Sequence, residues 1–121
     1  MELKEIAAEL VAGCREGRER ANLDKLYAAD AVSVEAADQG NGREVRGLAA
    51  IHAKHDWWES ANEMTGVTVS DPMPHGDDRF AVIFEMEGRD KASGESFAMR
   101  EVGVYHVADG KIVREEFFYG M

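Results

Sequence analysis

Hydrophobic periodicity changes near Met64, and this change is the feature that most constrains the fold. Before Met64 the apolar residues recur mostly at intervals of three and four, the spacing of amphipathic helices. After Met64 apolar and polar residues alternate, which is typical of strands. Three helices followed by a run of strands predict an α+β fold with a strongly curved, mainly antiparallel sheet wrapped around the helices. Such a sheet encloses a space beside the helices, and we expect a pocket there.

The first half of the chain predicts three helices and one short strand. We place the helices at about residues 2–17, 22–29 and 47–61, with Asn22 as the N-cap of the second. Val32–Ala36 alternates and contains two valines, so it predicts a strand between the second and third helices. One face of the third helix carries Leu48, Ile51, His55 and Trp58.

The second half predicts an antiparallel meander of four strands. Val67–Val69 is the shortest, and Arg79–Glu87 and Phe97–Ala108 are longer strands joined by a glycine-containing turn. Asp109-Gly110 between two alternating runs indicates a tight hairpin, because these residues tolerate positive φ angles. The closing strand is predicted at Lys111–Tyr119.

Composition restricts the class of protein. The chain has 121 residues without a linker or repeat, so we expect one domain over residues 1–121. Its 14 basic and 24 acidic residues give a net charge of −10, which disfavours binding to nucleic acid or to an anionic membrane. Cys14 is the only cysteine, so no internal disulfide can form, and a charged N-terminus is unlike a signal peptide. We therefore expect a cytoplasmic protein.

Three segments of the chain resemble one known superfamily. They are the helix-to-strand run Leu26–Glu35, the start of the third helix at Arg46–Ile51, and the last hairpin at Gly103–Glu115. In this order and spacing they are similar to the nuclear transport factor 2-like superfamily, and most similar to its SnoaL-like branch. The resemblance implies a cone-shaped domain, usually dimeric, with a pocket inside the cone. The superfamily contains isomerases, polyketide cyclases, dehydratases, epoxide hydrolases and non-catalytic binders, so the fold does not determine the activity.

Glu35 is the first candidate catalytic residue. The resemblance implies that it occupies the position of the general-base aspartate of ketosteroid isomerases. A carboxylate beside an apolar cavity can abstract a proton next to a carbonyl group. Alternatively, Glu35 is a solvated acid at a strand end or an ion-pair partner of Arg46. The oxyanion donors of those isomerases have no counterpart, because the first helix lacks tyrosine and the matching strand position is Gly103, so ketosteroid isomerisation is not expected.

Two further glutamates, Glu101 and Glu115, face the pocket if the resemblance gives the correct strand faces. Buried carboxylates need partners, and we expect His55 to serve; Arg100 and Arg114 could serve only if the faces were reversed. The simpler interpretation is a structural ion pair between the third helix and the sheet. His55 itself is either a hydrogen-bonded core residue or a second acid–base group.

The remaining ligand-binding candidates are aromatic or apolar side chains. No metal or other cofactor is expected, because His52 and His55 alone do not form a metal-ligand motif. Apolar residues on both faces of one strand, among them Val102 and Val104, predict that the outer sheet face is covered by a second copy of the chain. The expected pocket lining, besides Glu101 and Glu115, is Trp58, Phe84, Met99, Tyr105, Phe117 and Tyr119.

These residues favour a small-molecule enzyme that isomerises, dehydrates or cyclises a hydrophobic, oxygenated metabolite, or activates water against it. Glu35 would be the general base, and His55 or a second glutamate the acid. Two alternatives are a non-catalytic binder of a small ligand and a dimeric interaction domain. The interaction domain would be favoured by a cavity filled with the lining side chains Trp58, Phe84, Met99 and Phe117.

Overall fold

The structure, a computed structural model, describes residues 1–38, 40 and 42–120 and contains three helices and seven strands. None of the described helices is long and apolar enough to cross a membrane. The helices are α1 (Leu3–Glu16), α2 (Glu19–Leu26) and α3 (Leu48–Ala61). The strands are β1 (Tyr27–Val34), β2 (Glu44–Arg46), β3 (Asn62–Val69), β4 (Met73–His75), β5 (Arg79–Asp90), β6 (Ser96–Ala108) and β7 (Lys111–Phe118).

The strands form one mixed sheet with the order β2-β1-β7-β6-β5-β3, and β4 pairs with the first residues of β5. All neighbours are antiparallel except β1 and β7, which are parallel. The helices and this sheet confirm the predicted α+β fold. The two additional strands, β2 and β4, have three residues each, too few to produce a periodic pattern.

The second helix differs from its prediction at both ends. It begins at Glu19, so Asn22 is not the N-cap but a buried residue within the helix, whose Nδ2 donates to the Glu9 carbonyl at 3.1 Å. A Cβ at Gly13 of α1 would lie 2.1 Å from this nitrogen, so the close approach of the two helices requires a glycine there. The helix ends at Leu26 because residues 27–34 pair with β7 in the sheet, which overrides the helical propensity of the two alanines.

Strand register separates the two faces of the sheet. Opposite residues of neighbouring strands share a face, and Phe84, Glu101, Tyr105 and Glu115 lie on the inner face with the helices. The core contains Ile6 and Leu10 of α1, Leu23 and Leu26 of α2, Ile51 of α3, and Phe80, Val82 and Ile112 of the sheet. The outer face carries the ion pairs Arg100–Glu85 and Arg114–Glu116. The strand faces are therefore those that the resemblance implied.

Candidate functional site

The buried end of the site is built on the parallel pair β1 and β7. Ser33 lies opposite Glu115 in the register, and its Oγ donates to Glu115 Oε2 at 2.7 Å. The Tyr27 hydroxyl donates to Oε1 of the same carboxylate. Glu115 is only 3% exposed, so both oxygens are satisfied by side chains rather than by bulk water.

Lys54 of α3 joins this buried carboxylate to a second one. Its Nζ donates to Ser33 Oγ at 2.7 Å and to Glu35 Oε2 at 2.6 Å. The other oxygen of Glu35 accepts a hydrogen bond from the Tyr119 hydroxyl at 3.1 Å. The side chains of Lys54 and Glu35 are each 27% exposed, so the network extends from a buried end to an end open to solvent. We call Tyr27, Ser33, Glu35, Lys54, Glu115 and Tyr119 the inner-face network.

Glu101 of β6 lies beside this network without joining it. Across the described residues, no hydrogen bond or ion pair connects its carboxyl group to another side chain. Burial, followed by the negative charges of Glu35 and Glu115, raises the pKa of Glu101 to about 7, and the positive charge of Lys54 acts against this rise. Glu101 is therefore the carboxyl group on this face whose proton exchanges near neutral pH.

The other titratable groups of the site are coupled to the same charges. Burial raises the pKa of Glu115, while the hydrogen bonds from Ser33 and Tyr27 act against it. Burial also raises the pKa of Tyr27, and the negative charge of Glu115 adds to this effect. The pKa of Tyr119 is raised by burial and by Glu35, so the hydroxyl groups remain donors at physiological pH.

His55 does not join the inner-face network. In the part of the chain that the structure describes, no hydrogen bond links it to Glu35, Glu101 or Glu115. Burial and then the charge of Arg20 lower the pKa of His55 to about 4, so the ring is neutral at physiological pH. The expected pairing of His55 with Glu101 or Glu115 is therefore wrong, because neighbouring positions on a helix point about 100° apart.

Lys54, Ser33 and Tyr27 were missed by the sequence analysis. Ile51, Lys54 and Trp58 fit one helix face as well as Ile51, His55 and Trp58 do, so the spacing itself contained the signal. The partner of Glu35 is accordingly Lys54 and not Arg46.

Aromatic side chains surround the polar groups. Phe80 stacks on Tyr105 at 5.0 Å between ring centroids, and Phe117 meets the same ring edge-on at 6.2 Å. Lys54 Nζ lies 5.4 Å from the Phe117 centroid. The predicted lining residues Phe84 and Met99 share this face, and Trp58 contacts Phe97 at 5.9 Å.

A groove elsewhere on the described surface has a different lining. A shallow groove of about 530 Å³ lies over β3, β5 and β6 and is lined mainly by outer-face residues such as Thr68, Glu85 and Arg100. It does not include any member of the inner-face network. Among the described residues, no three histidine, cysteine or acidic side chains are grouped so that they could hold a metal ion.

An α+β domain with helices packed on the inner face of a curved mixed sheet, and polar groups on that face, defines the nuclear transport factor 2-like class. The sequence profile of the SnoaL-like domain matches residues 1–119, and the chain belongs to this family. No curated protein matches the sequence.

Solved structures of similar proteins agree with this family. A protein from Mesorhizobium loti assigned as a SnoaL-like polyketide cyclase is 35% identical, with a TM-score of 0.92 over 98% of this chain and 100% of the other. A protein from Jannaschia with the same assignment is 17% identical, with a TM-score of 0.76 over 98% of this chain and 86% of the other. A protein of ketosteroid isomerase-like fold from Catenulispora acidiphila, in complex with trimethylamine, is 21% identical. Its TM-score is 0.75 over 97% of this chain and 86% of the other.

Proposed function

We propose that the protein is a small-molecule enzyme that transfers protons on a hydrophobic, oxygenated metabolite, as an isomerase, cyclase or dehydratase does. The observation that carries the proposal is the unequal environment of the three inner-face carboxylates. Glu35 is paired with Lys54 and reachable from solvent, Glu115 is buried and fully bonded, and Glu101 has no partner and a pKa of about 7. Carboxyl groups with different partners and burial on one face are suited to general acid–base catalysis.

In the proposed reaction, Glu35 accepts a proton from a carbon next to a carbonyl group. The electron pair of the broken C–H bond forms a carbon–carbon double bond, and negative charge moves to the carbonyl oxygen. Glu101, protonated in part of the molecules at neutral pH, donates a hydrogen bond or its proton to that oxygen. Lys54 lies beside Glu35, with its Nζ 2.6 Å from Oε2.

The relatives support the substrate class. The Mesorhizobium loti protein, 35% identical to this chain, is assigned as a polyketide cyclase, and polyketides are carbon chains with many carbonyl groups. The partly exposed side chains of Met99, Phe117 and Tyr119 would provide contacts for such a molecule.

Deuterium exchange tests the proposal without the natural substrate. We expect the protein to accelerate exchange of the α-hydrogens of 1-indanone or α-tetralone in D₂O above the buffer rate, as measured by proton NMR. Glu35→Gln should return the rate to that of buffer, whereas Glu95→Gln, an exposed residue of the β5–β6 turn, should not. Ketones that bind, as shown by saturation-transfer NMR, but do not exchange would contradict the enzyme proposal.

A non-catalytic binder is the second candidate, and one observation favours it. Both oxygens of Glu35 already accept hydrogen bonds, from Lys54 and from Tyr119, so a substrate proton must compete with these donors. A binder would retain its affinity for the ketones in Glu35→Gln, which distinguishes it from the enzyme. An interaction domain would bind neither ketone.

We also propose that the protein is a cytoplasmic homodimer that pairs through the outer sheet face. Phe118 is 54% exposed and lies opposite Val102, and ion pairs of both signs, Arg100–Glu85 and Arg114–Glu116, border the apolar residues. Such a mixed rim can complement itself in a symmetric dimer. The outer apolar patch consists of Ala81, Ile83, Val102, Val104 and Phe118.

A further inference from the structure

Arg20 joins the second helix to the third through several contacts. It is the second residue of α2, and its guanidinium group lies 2.9 Å from Asp56 Oδ1 and 3.4 Å from Glu59 Oε2, both on α3. It also donates to His52 Nδ1, from Nε at 3.4 Å and from Nη2 at 3.3 Å. Because arginine can only donate, His52 Nδ1 is an acceptor, and Nε2 of the same ring donates to Asp24 of α2 at 3.0 Å. We call Arg20, Asp24, His52, Asp56 and Glu59 the interhelix cluster.

The third helix depends on such contacts because it has little apolar packing of its own. Within α3, all of whose residues are described, Ile51 alone is buried, and no side chain caps the first turn at Gly47. The charged side chains of the interhelix cluster are partly exposed, so each ion pair adds little to stability. A planar guanidinium group that contacts three side chains of one helix nevertheless restricts how that helix can turn.

The interhelix cluster and Lys54 occupy different sides of α3. At about 100° per residue, the three cluster residues of α3 share one side, and Lys54 and Ile51 lie on another, roughly 130° away. A helix with its side chains has a radius of about 5 to 6 Å, so turning α3 by about 20° would move a side-chain tip by about 2 Å. This distance is close to the 2.6 and 2.7 Å contacts of Lys54 Nζ with Glu35 and Ser33. The rotation of α3 therefore decides whether Lys54 reaches the inner-face network.

We propose that Arg20 is a positioning residue that fixes the rotation of α3 and thereby holds Lys54 against Glu35. Among the described residues, its side chain contacts only members of the interhelix cluster, so it acts on the inner-face network through α3. The inference concerns that network and is independent of the proposed reaction.

The midpoint of the Glu101 titration, measured by carbon-detected NMR, reports where Lys54 lies. Lys54 acts against the rise that burial, Glu35 and Glu115 cause in the pKa of Glu101. Arg20→Met should raise the midpoint by roughly 0.3 to 1 pH unit, because Lys54 is no longer held among the carboxylates. Lys54→Met should raise it at least as much, and the double variant should equal Lys54→Met alone, because Arg20 acts through Lys54.

Asp56→Ala separates movement of α3 from a direct effect of charge. It removes the 2.9 Å contact of the interhelix cluster, and the loss of a negative charge would by itself lower the Glu101 midpoint, whereas release of α3 should raise it. Arg18→Met is the matched control, since it removes the same charge from the residue before α2. The ion pairs of Arg18 are with Glu9 and Glu16 of α1, so the midpoint should not change.

An unchanged or lowered Glu101 midpoint in either Arg20→Met or Asp56→Ala would overturn the inference. Additive shifts of Arg20→Met and Lys54→Met would overturn it as well, and so would an equal shift in Arg18→Met. The melting temperature of Arg20→Met should fall only slightly, because exposed ion pairs contribute little to stability. Asp56→Ala keeps the test decisive if Arg20→Met does not fold. None of these measurements uses a ketone, so a lack of deuterium exchange would contradict only the proposed function.

Discussion

At the scale of single residues, Lys54 and Glu101 respond differently to the negative charge of Glu35. Lys54 reduces that charge through contacts at 2.6 and 2.7 Å with Glu35 and Ser33. Glu101 receives no such compensation, so burial and its neighbours favour its protonated form. One lysine among three carboxylates thus leaves one carboxyl group free to exchange its proton.

This imbalance predicts that Glu101→Gln stabilises the protein in a pH-dependent way. The folded pKa of about 7 exceeds the unfolded value of 4.5, so the folded state binds more protons between these pH values and wild-type stability falls as pH rises through the window. Glutamine carries no such penalty. The variant should match the wild type at pH 4 and gain free energy of unfolding above pH 7, by at most about 3 kcal/mol.

Urea denaturation at pH 4, 6 and 8 measures this difference. Glu95→Gln, an exposed substitution of the same kind, should differ from the wild type by less than about 0.5 kcal/mol at each pH. A gain for Glu101→Gln that is the same at pH 4 and pH 8 would show that the charge of Glu101 is not the cause.

At the scale of elements, the outer face of the sheet carries its own prediction. Phe118→Asp adds a charge to the outer apolar patch, where a second copy would have to desolvate it. By size-exclusion chromatography with light scattering, the wild type should have twice the 13.4 kDa mass of one chain, and the variant should have the mass of one. Trp57→Asp, an exposed aromatic substitution on α3, should remain dimeric. A wild type of 13.4 kDa at micromolar concentration would contradict the dimer.

Elements with long periodic patterns could be predicted from the sequence, and contacts between elements could not. α1, α3 and the strands β5, β6 and β7 lie within a few residues of their predicted ranges. The parallel pairing of β1 with β7 depends on residues about 80 positions apart, and no local pattern encodes it. The start of α2 was displaced for the same reason, because the contact of Asn22 with α1 determines where that residue lies.

The site was predicted in part. The resemblance selected the correct face for Glu101 and Glu115, since a two-residue period allows only two choices. It did not identify the partner on α3, where Lys54 and His55 are adjacent and a rotation of about 100° decides which one meets the sheet. Helical periodicity alone cannot resolve that choice without the position of β1.

At the scale of the whole molecule, the acidic residues that give the net charge of −10 are unevenly distributed. Most acidic residues lie on the exposed surface, whereas Glu35, Glu101 and Glu115 come from different parts of the chain to one partly apolar face. The curved sheet and α3 bring these charges close enough to change one another's protonation. The fold therefore brings three carboxyl groups that are distant in sequence onto one face, and the proposed acid–base function depends on this arrangement.

Carbon-detected NMR titration of the glutamate carboxyl groups tests this claim most directly. Glu101 should titrate with a midpoint of about 7 in the wild type, and with a lower midpoint in Glu35→Gln, because that substitution removes one of the neighbouring negative charges. A midpoint near 4.5 in the wild type, unchanged in Glu35→Gln, would contradict the account.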